Sequence, residues 1–278
     1  RWDPYVLLHN DTVTQLWKDH FSSGKEKVLF ILGKGFDIRM NMGISNLLTS
    51  CPNINIECLL ISFDEGKSSN SHEYSELVDK NTSELKTLLS GNTIFEKNIK
   101  LWNTKGRKRR RIGDREAANL FVNYDDIKGY TDIVVDISAL PRGVYFSLVG
   151  KLLSLIDKYC NDFSKNLFLC VAENASIDNL IQENSIDEDL SYLYGFGGEI
   201  DLAAETEKPL IWFPILGENK EAHVRKAFGK ITESKNRLYE ICPTFPFPSK
   251  NPRRSDRILI EYHELLFDEL GIEPQNIM

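Results

Sequence analysis

The sequence predicts an α/β protein: a Rossmann-like three-layer sandwich with a mostly parallel central sheet. Three observations predict it. Short uninterrupted apolar runs recur, each closed by glycine or an acid, as strands buried on both faces require. The runs alternate with helical stretches at least four times. Polar or glycine-containing loops follow them, which is where open parallel sheets place their ligands.

The elements follow in order. A short helix is expected near 11–21, with Asp11 or Thr12 as its cap. Val28-Leu29-Phe30-Ile31-Leu32 is the first strand, closed by Gly33, and a helix at 43–50 follows. A second strand spans 56–63. Ser71 is placed to cap a helix over 72–90 that carries Leu77, Val78, Leu85, Leu88 and Leu89. Residues 99–102 allow a strand, and a helix at 114–122 leads to Tyr130. Ile133-Val134-Val135-Asp136-Ile137 is the next strand. The helix at 144–159 is apolar nearly all round and so is expected to be well buried. Further strands are read at 167–171 and 210–215, the latter as a member of the same sheet. A helix at 219–233, a short strand at 237–242 and an amphipathic helix at 255–270, capped by Ser255, close the chain. One domain over 1–278 is expected, with a basic loop inserted near 103–113 and a helical extension near 250–278.

The chain has 278 residues, enough to bury a core without disulfides or metals. Its net charge of -7 argues against a general nucleic-acid coat, which needs a basic surface. The five cysteines lack C-x-x-C spacing, which disfavours a zinc or redox site and fits a reducing, cytoplasmic location. No apolar run is long enough to span a bilayer, so no membrane contact is expected. The chain begins with Arg1 and not Met, and a segment of a longer gene product is expected. The histidines are dispersed, without metal-ligand spacing or a hydrolase triad order. No metal is expected, and no catalytic residue is assigned.

The candidate site is therefore built from strand tips. After the first strand, Gly33, Lys34, Gly35, Asp37 and Arg39 offer close backbone approach and charge. The third glycine of the dinucleotide fingerprint is missing, and a tight turn without ligand explains the same residues. Asp64 ends the second strand. It is placed to bond ribose hydroxyls, or simply to fix a turn. At the next tip, Asp136 supplies a carboxylate, Ser138 a hydroxyl and Arg142 a planar fork for phosphate or carboxylate. Helix capping explains Ser138 and Pro141 but not Arg142, whose charge is unfavourable in a first turn. Glu173 follows the fourth strand, and Gly217-Glu218 the fifth.

Two basic groups stand apart. Six of the seven residues from Lys105 to Arg111 are basic. A solvated loop is the plain reading, and contact with nucleic acid through that loop is the alternative. Arg253 and Arg254 open the last helix, where cations need an acid or a bound anion. Packing of their stems against Phe245–Phe247 is the alternative.

Two family resemblances attach to these motifs. The stretch from Val28 to Arg39 resembles the first motif of class I S-adenosylmethionine-dependent methyltransferases, especially the leucine carboxyl methyltransferase type. That resemblance implies Gly33, Gly35 and Arg39 near the methionine part and Asp64 on the ribose. Asp136, Ser138 and Arg142 resemble the ligand motif of the CRISPR-associated Rossmann sensors, which bind cyclic oligonucleotides. Leu140 and Pro141 stand where those proteins have small residues. The expected function is binding or sensing of a nucleotide-like ligand, within a bacterial defence system on the second resemblance. A methyltransferase using S-adenosylmethionine and a non-catalytic scaffold with a protein partner are the alternatives.

Overall fold

The computed structural model describes residues 5–64, 66, 73–103, 110–159, 165–174, 190, 192–196, 210–232, 238–245 and 252–278. They fall into two compact units, the first made mainly of residues 1–181 and the second mainly of 197–278.

In chain order the first unit holds α1 (Asp11–His20), β1 (Lys27–Gly33), α2 (Met42–Ser50), β2 (Asn55–Asp64), α3 (Ser75–Leu88) and β3 (Thr93–Lys100). Then come β4 (Trp102–Asn103), β5 (Arg110–Arg111), α4 (Gly113–Ala118), β6 (Asp132–Asp136), α5 (Arg142–Lys158) and β7 (Asn166–Cys170). Five strands form one sheet in the order β3-β2-β1-β6-β7, and every neighbouring pair is parallel. Counting only the strands of this sheet, that is the 3-2-1-4-5 order of the dinucleotide-binding folds. The order reverses between β1 and β6, so the crevice of such a fold opens there.

Alternation along the strands sorts the apolar side chains into two layers. Val28, Phe30, Leu32, Ile56, Cys58, Leu60 and Val134 face one way and pack with Trp17, Ile44, Leu47 and Leu85 of α1, α2 and α3. Leu29, Ile31, Leu59, Ile61, Ile133 and Val135 face the other and meet Ala117 of α4 and Val144, Leu148, Leu152 and Leu155 of α5. Central strands buried on both faces have no polar side to show, which is why β1 and β6 read as continuous apolar runs. Full burial of each such side chain is worth about 2 kcal/mol.

The differences from expectation have physical causes. The fifth strand of the sheet is Thr93–Lys100 and not 99–102; it lies at an edge, mostly exposed, and so carries charge instead of an apolar run. Helix α5 is apolar nearly all round but buries one face through Val144, Ser147, Leu148, Leu152 and Leu155, while Phe146 stays 45% exposed. Its N-cap is Pro141, with no side-chain cap, so Ser138 serves elsewhere. The N-cap of α1 is Asn10; Thr12 Oγ1 instead donates to the His9 carbonyl and accepts from the His9 amide. The expected cap at Ser71 lies outside the described residues. Of the basic insertion, residues 104–109 also lie outside them; its flanks pair as the antiparallel strands β4 and β5, with the Arg111 guanidinium 5.2 Å from the Trp102 ring centre.

The second unit contains β8 (Leu210–Trp212), α6 (Glu221–Ile231), β9 (Tyr239–Ile241) and α7 (Pro252–Glu261), then a π-helical stretch, Glu264–Glu269. The strand read at 210–215 is therefore not part of the main sheet: β8 pairs in parallel with β9 in a sheet of two. Leu216, Val224, Ile241, Ile258, Tyr262, Leu265 and Leu266 form a core of its own. Tyr262 is fully buried, and its hydroxyl donates to the Gly217 carbonyl at 2.8 Å, as a buried phenol needs. Ser255 is not a cap, because α7 begins at Pro252 and Ser255 is buried within it.

Candidate functional site at the sheet switch point

The tips of β1, β6 and β7 meet at the switch point. Gly33 ends β1 against the turn that follows β6. A Cβ on Gly33 would stand 2.5 Å from the Ala139 carbonyl oxygen and 2.9 Å from Leu140 Cδ2, so only glycine fits. A Cβ on Gly35 would meet Ala139 Cβ at 3.4 Å. The close approach that Gly33 allows is thus taken up by the 139–140 turn, while at Gly35 a Cβ would make ordinary contact.

The loop after β1 is internally neutralised. Arg39 is buried, and its guanidinium clasps Asp37 with Nε on Oδ1 at 2.9 Å and Nη2 on Oδ2 at 2.6 Å. Burial raises the Asp37 pKa, but the bonds from Arg39 outweigh it and hold the carboxyl below its ordinary value. Asn81 of α3 pins this loop: its Nδ2 donates to the Gly35 carbonyl at 3.0 Å and the Asp37 carbonyl at 2.9 Å. Lys34 reaches away to Glu96 of β3 at 2.9 Å.

The loop after β6 is different. Asp136 is 1% exposed. Its Oδ1 accepts from the Ser138 amide at 2.9 Å and the Ser138 hydroxyl at 2.5 Å. Ser138 Oγ in turn accepts from the Ala172 amide at 2.8 Å, tying the tip of β6 to that of β7. Asp136 Oδ2 has no hydrogen-bond partner among the described residues. It lies against α2, where a Cβ on Gly43 would come within 2.2 Å of it. Burial pushes the Asp136 pKa up to about 6, against the lowering pull of Ser138 and of the nearby Gly43 amide. Six residues beyond Asp136, Arg142 opens the 17-residue helix α5. It is exposed, and it makes no hydrogen bond or ion pair with a described residue.

The remaining candidates are Asp64, Glu173 and two arginines of the second unit. Asp64 is exposed at the end of β2, and its Oδ1 accepts from the Gly66 amide at 2.8 Å, a turn-fixing bond. Glu173 is exposed beyond β7, without a bond to a described residue. In the second unit, Arg254 Nη2 pairs with Glu218 at 2.9 Å, so an acid of the chain itself offsets its unfavourable place at a helix start. Arg253 beside it is exposed.

Sequence reasoning missed Asn81, Gly43 and the Phe36–Tyr74 pair, whose rings stack 4.4 Å apart at 22°. Gly43 at a helix start was the one legible signal; Asn81 and Tyr74 are linked to the loop only by the fold.

No family model and no curated protein matches the chain. Among solved structures, one similar chain is assigned as a caffeoyl-CoA O-methyltransferase from Staphylococcus aureus, at 10% identity and TM-score 0.25 over 51% of this chain. The match spans 53% of that protein, about half its length. Another is assigned as a universal stress protein from Pseudomonas aeruginosa UCBPP-PA14, at 10% identity and TM-score 0.23, covering 92% of this chain and 74% of that one. At these values the likenesses carry no argument, and the fold rests on strand order and direction. Among the described residues no helix is long and apolar enough to cross a membrane, and no cluster of His, Cys, Asp or Glu is placed to hold a metal.

Proposed function

We propose that the crevice at the tips of β1, β6 and β7 binds an anionic, nucleotide-like small molecule, and that the protein is a ligand-binding or sensing module. Arg142 carries this reading. It is an exposed guanidinium in the first turn of α5, where helix amides already favour an anion and a cation without one is unfavourable. The neighbouring cations of the site, Lys34 and Arg39, are committed to Glu96 and Asp37. Asp136 is sealed from solvent against Gly43, so it orders the turn before Arg142 through Ser138 and does not itself touch the ligand. The hydroxyl bonded to a carboxyl at these tips, Ser138 on Asp136, also accepts from the Ala172 amide and ties β6 to β7, a structural engagement that favours binding over chemistry.

Two of the positions that the methyltransferase resemblance assigns to S-adenosylmethionine are engaged within the chain: Gly33 by the 139–140 turn and Arg39 by Asp37. A thermal-shift panel of ATP, cyclic oligonucleotides and S-adenosylmethionine tests the reading, since binding raises the melting temperature by mass action. A shift with a nucleotide that disappears in Arg142→Ala is expected. A shift with S-adenosylmethionine alone would transfer the assignment to a transferase, and a flat panel would leave a scaffold acting through its surfaces.

A further inference from the structure

We infer that Phe36 and Tyr74 form a stacking platform for the base of the ligand, a role that rests on the nucleotide reading of the crevice. Phe36 and Tyr74 are stacked yet remain 45% and 41% exposed. Aromatic surface left open to water costs free energy unless something covers it. The pair is held rigid from below. Asn81 fixes the carbonyls on both sides of Phe36, those of Gly35 and Asp37. Tyr74, the N-cap of α3, lies two turns before Asn81 on the same helix face. A rigid aromatic surface binds a flat ring without first losing side-chain freedom.

Platform and guanidinium lie beyond the same ends of neighbouring parallel strands: Phe36 follows β1 and Arg142 follows β6. The Asp37 carboxylate, adjacent in sequence, is neutralised by Arg39, so it does not repel the phosphate. Stacking reads the π-face that every base shares, so the platform supplies affinity for a base and little choice among bases.

Titration calorimetry with the four ribonucleoside 5′-monophosphates and with ribose 5-phosphate tests this. Phe36→Ala is expected to weaken all four by about 10-fold, the scale of one base–aromatic stack, and to leave ribose 5-phosphate unchanged. Phe36→Trp restores affinity and Phe36→Leu does not, which separates stacking from simple apolar cover. Arg142→Ala weakens every probe, the sugar phosphate included. Wild-type affinity for the monophosphates in both Phe36→Ala and Phe36→Leu, with Arg142→Ala still defective, would overturn the platform and spare the site; the exposed aromatics would then belong to a protein contact. Absence of monophosphate binding to the wild-type chain would overturn both.

Discussion

Strand β6 begins and ends in a buried aspartate, and the two ends are satisfied differently. Asp132 and Asp136 are each 1% exposed and, two residues either side of Val134, point to the same face of the sheet. At the N-terminal end, Asp132 Oδ1 bonds His20 Nε2 at 2.7 Å and accepts from Asn166 Nδ2 at 2.8 Å, while Oδ2 accepts from the Thr131 hydroxyl at 2.6 Å. These groups line a cavity of about 230 Å³ with Lys25 and Glu26. The carboxylate there is saturated and joins α1, β6 and β7. At the C-terminal end, the two close hydrogen bonds to Asp136 come from Ser138 and fall on one oxygen, while the Gly43 amide approaches the carboxyl from α2. A buried carboxyl bonded on one oxygen costs stability that a saturated one does not. One end thus joins three elements, while the other holds its own turn and, through Ser138, the tip of β7.

Breaking the saturated end has the largest expected effect. Asp132→Ala takes the shared acceptor from three donors that line a pocket open to solvent and lowers stability by about 3 kcal/mol, read by urea denaturation. The open end shows itself through pH. The Asp136 pKa rises from an ordinary 3.8 to about 6 on folding, so the folded state holds its proton more tightly than the unfolded state. Its contribution is fully present below pH 3.8 and is lost as pH rises through 6, a fall of about 3 kcal/mol that Asp136→Asn removes. Asp37 runs the other way: its lowered pKa stabilises the fold above its ordinary range and loses that effect on acidification. Gly43→Ala pushes a methyl into Asp136 Oδ2 and costs about 1–2 kcal/mol, a cost reduced when Asp136 is shortened to Ala in the same chain. Arg142→Ala sharpens the comparison by doing least to the fold: thermal melts are expected within about 0.5 kcal/mol of wild type, because the side chain bonds no described residue.

The fold was legible where burial writes a pattern. The central strands β1 and β6 are apolar because both faces are covered. The edge strand β3 escapes the pattern because both of its faces are open over Glu96, Lys97 and Asn98. β8 was assigned to the wrong sheet because a local apolar run does not say which strand it will pair with. At the site, the sequence brought forward the tips of β1 and β6, which strand order places side by side. It could not tell that Arg39 turns inward to Asp37 two residues away, while Arg142 faces solvent. Nor could it connect Asn81 and Tyr74 to a loop some forty residues upstream, a neighbourhood that only the β1-α2-β2-α3 crossover creates.

The central claim is that an anion is received at Arg142. Titration of ATP into the wild-type chain and Arg142→Ala at low and moderate salt tests it most directly. The account predicts binding to the wild type that weakens with salt and is lost in the variant, at unchanged melting temperature of the free proteins. Equal ATP affinity in the two chains, or none in either, would contradict it.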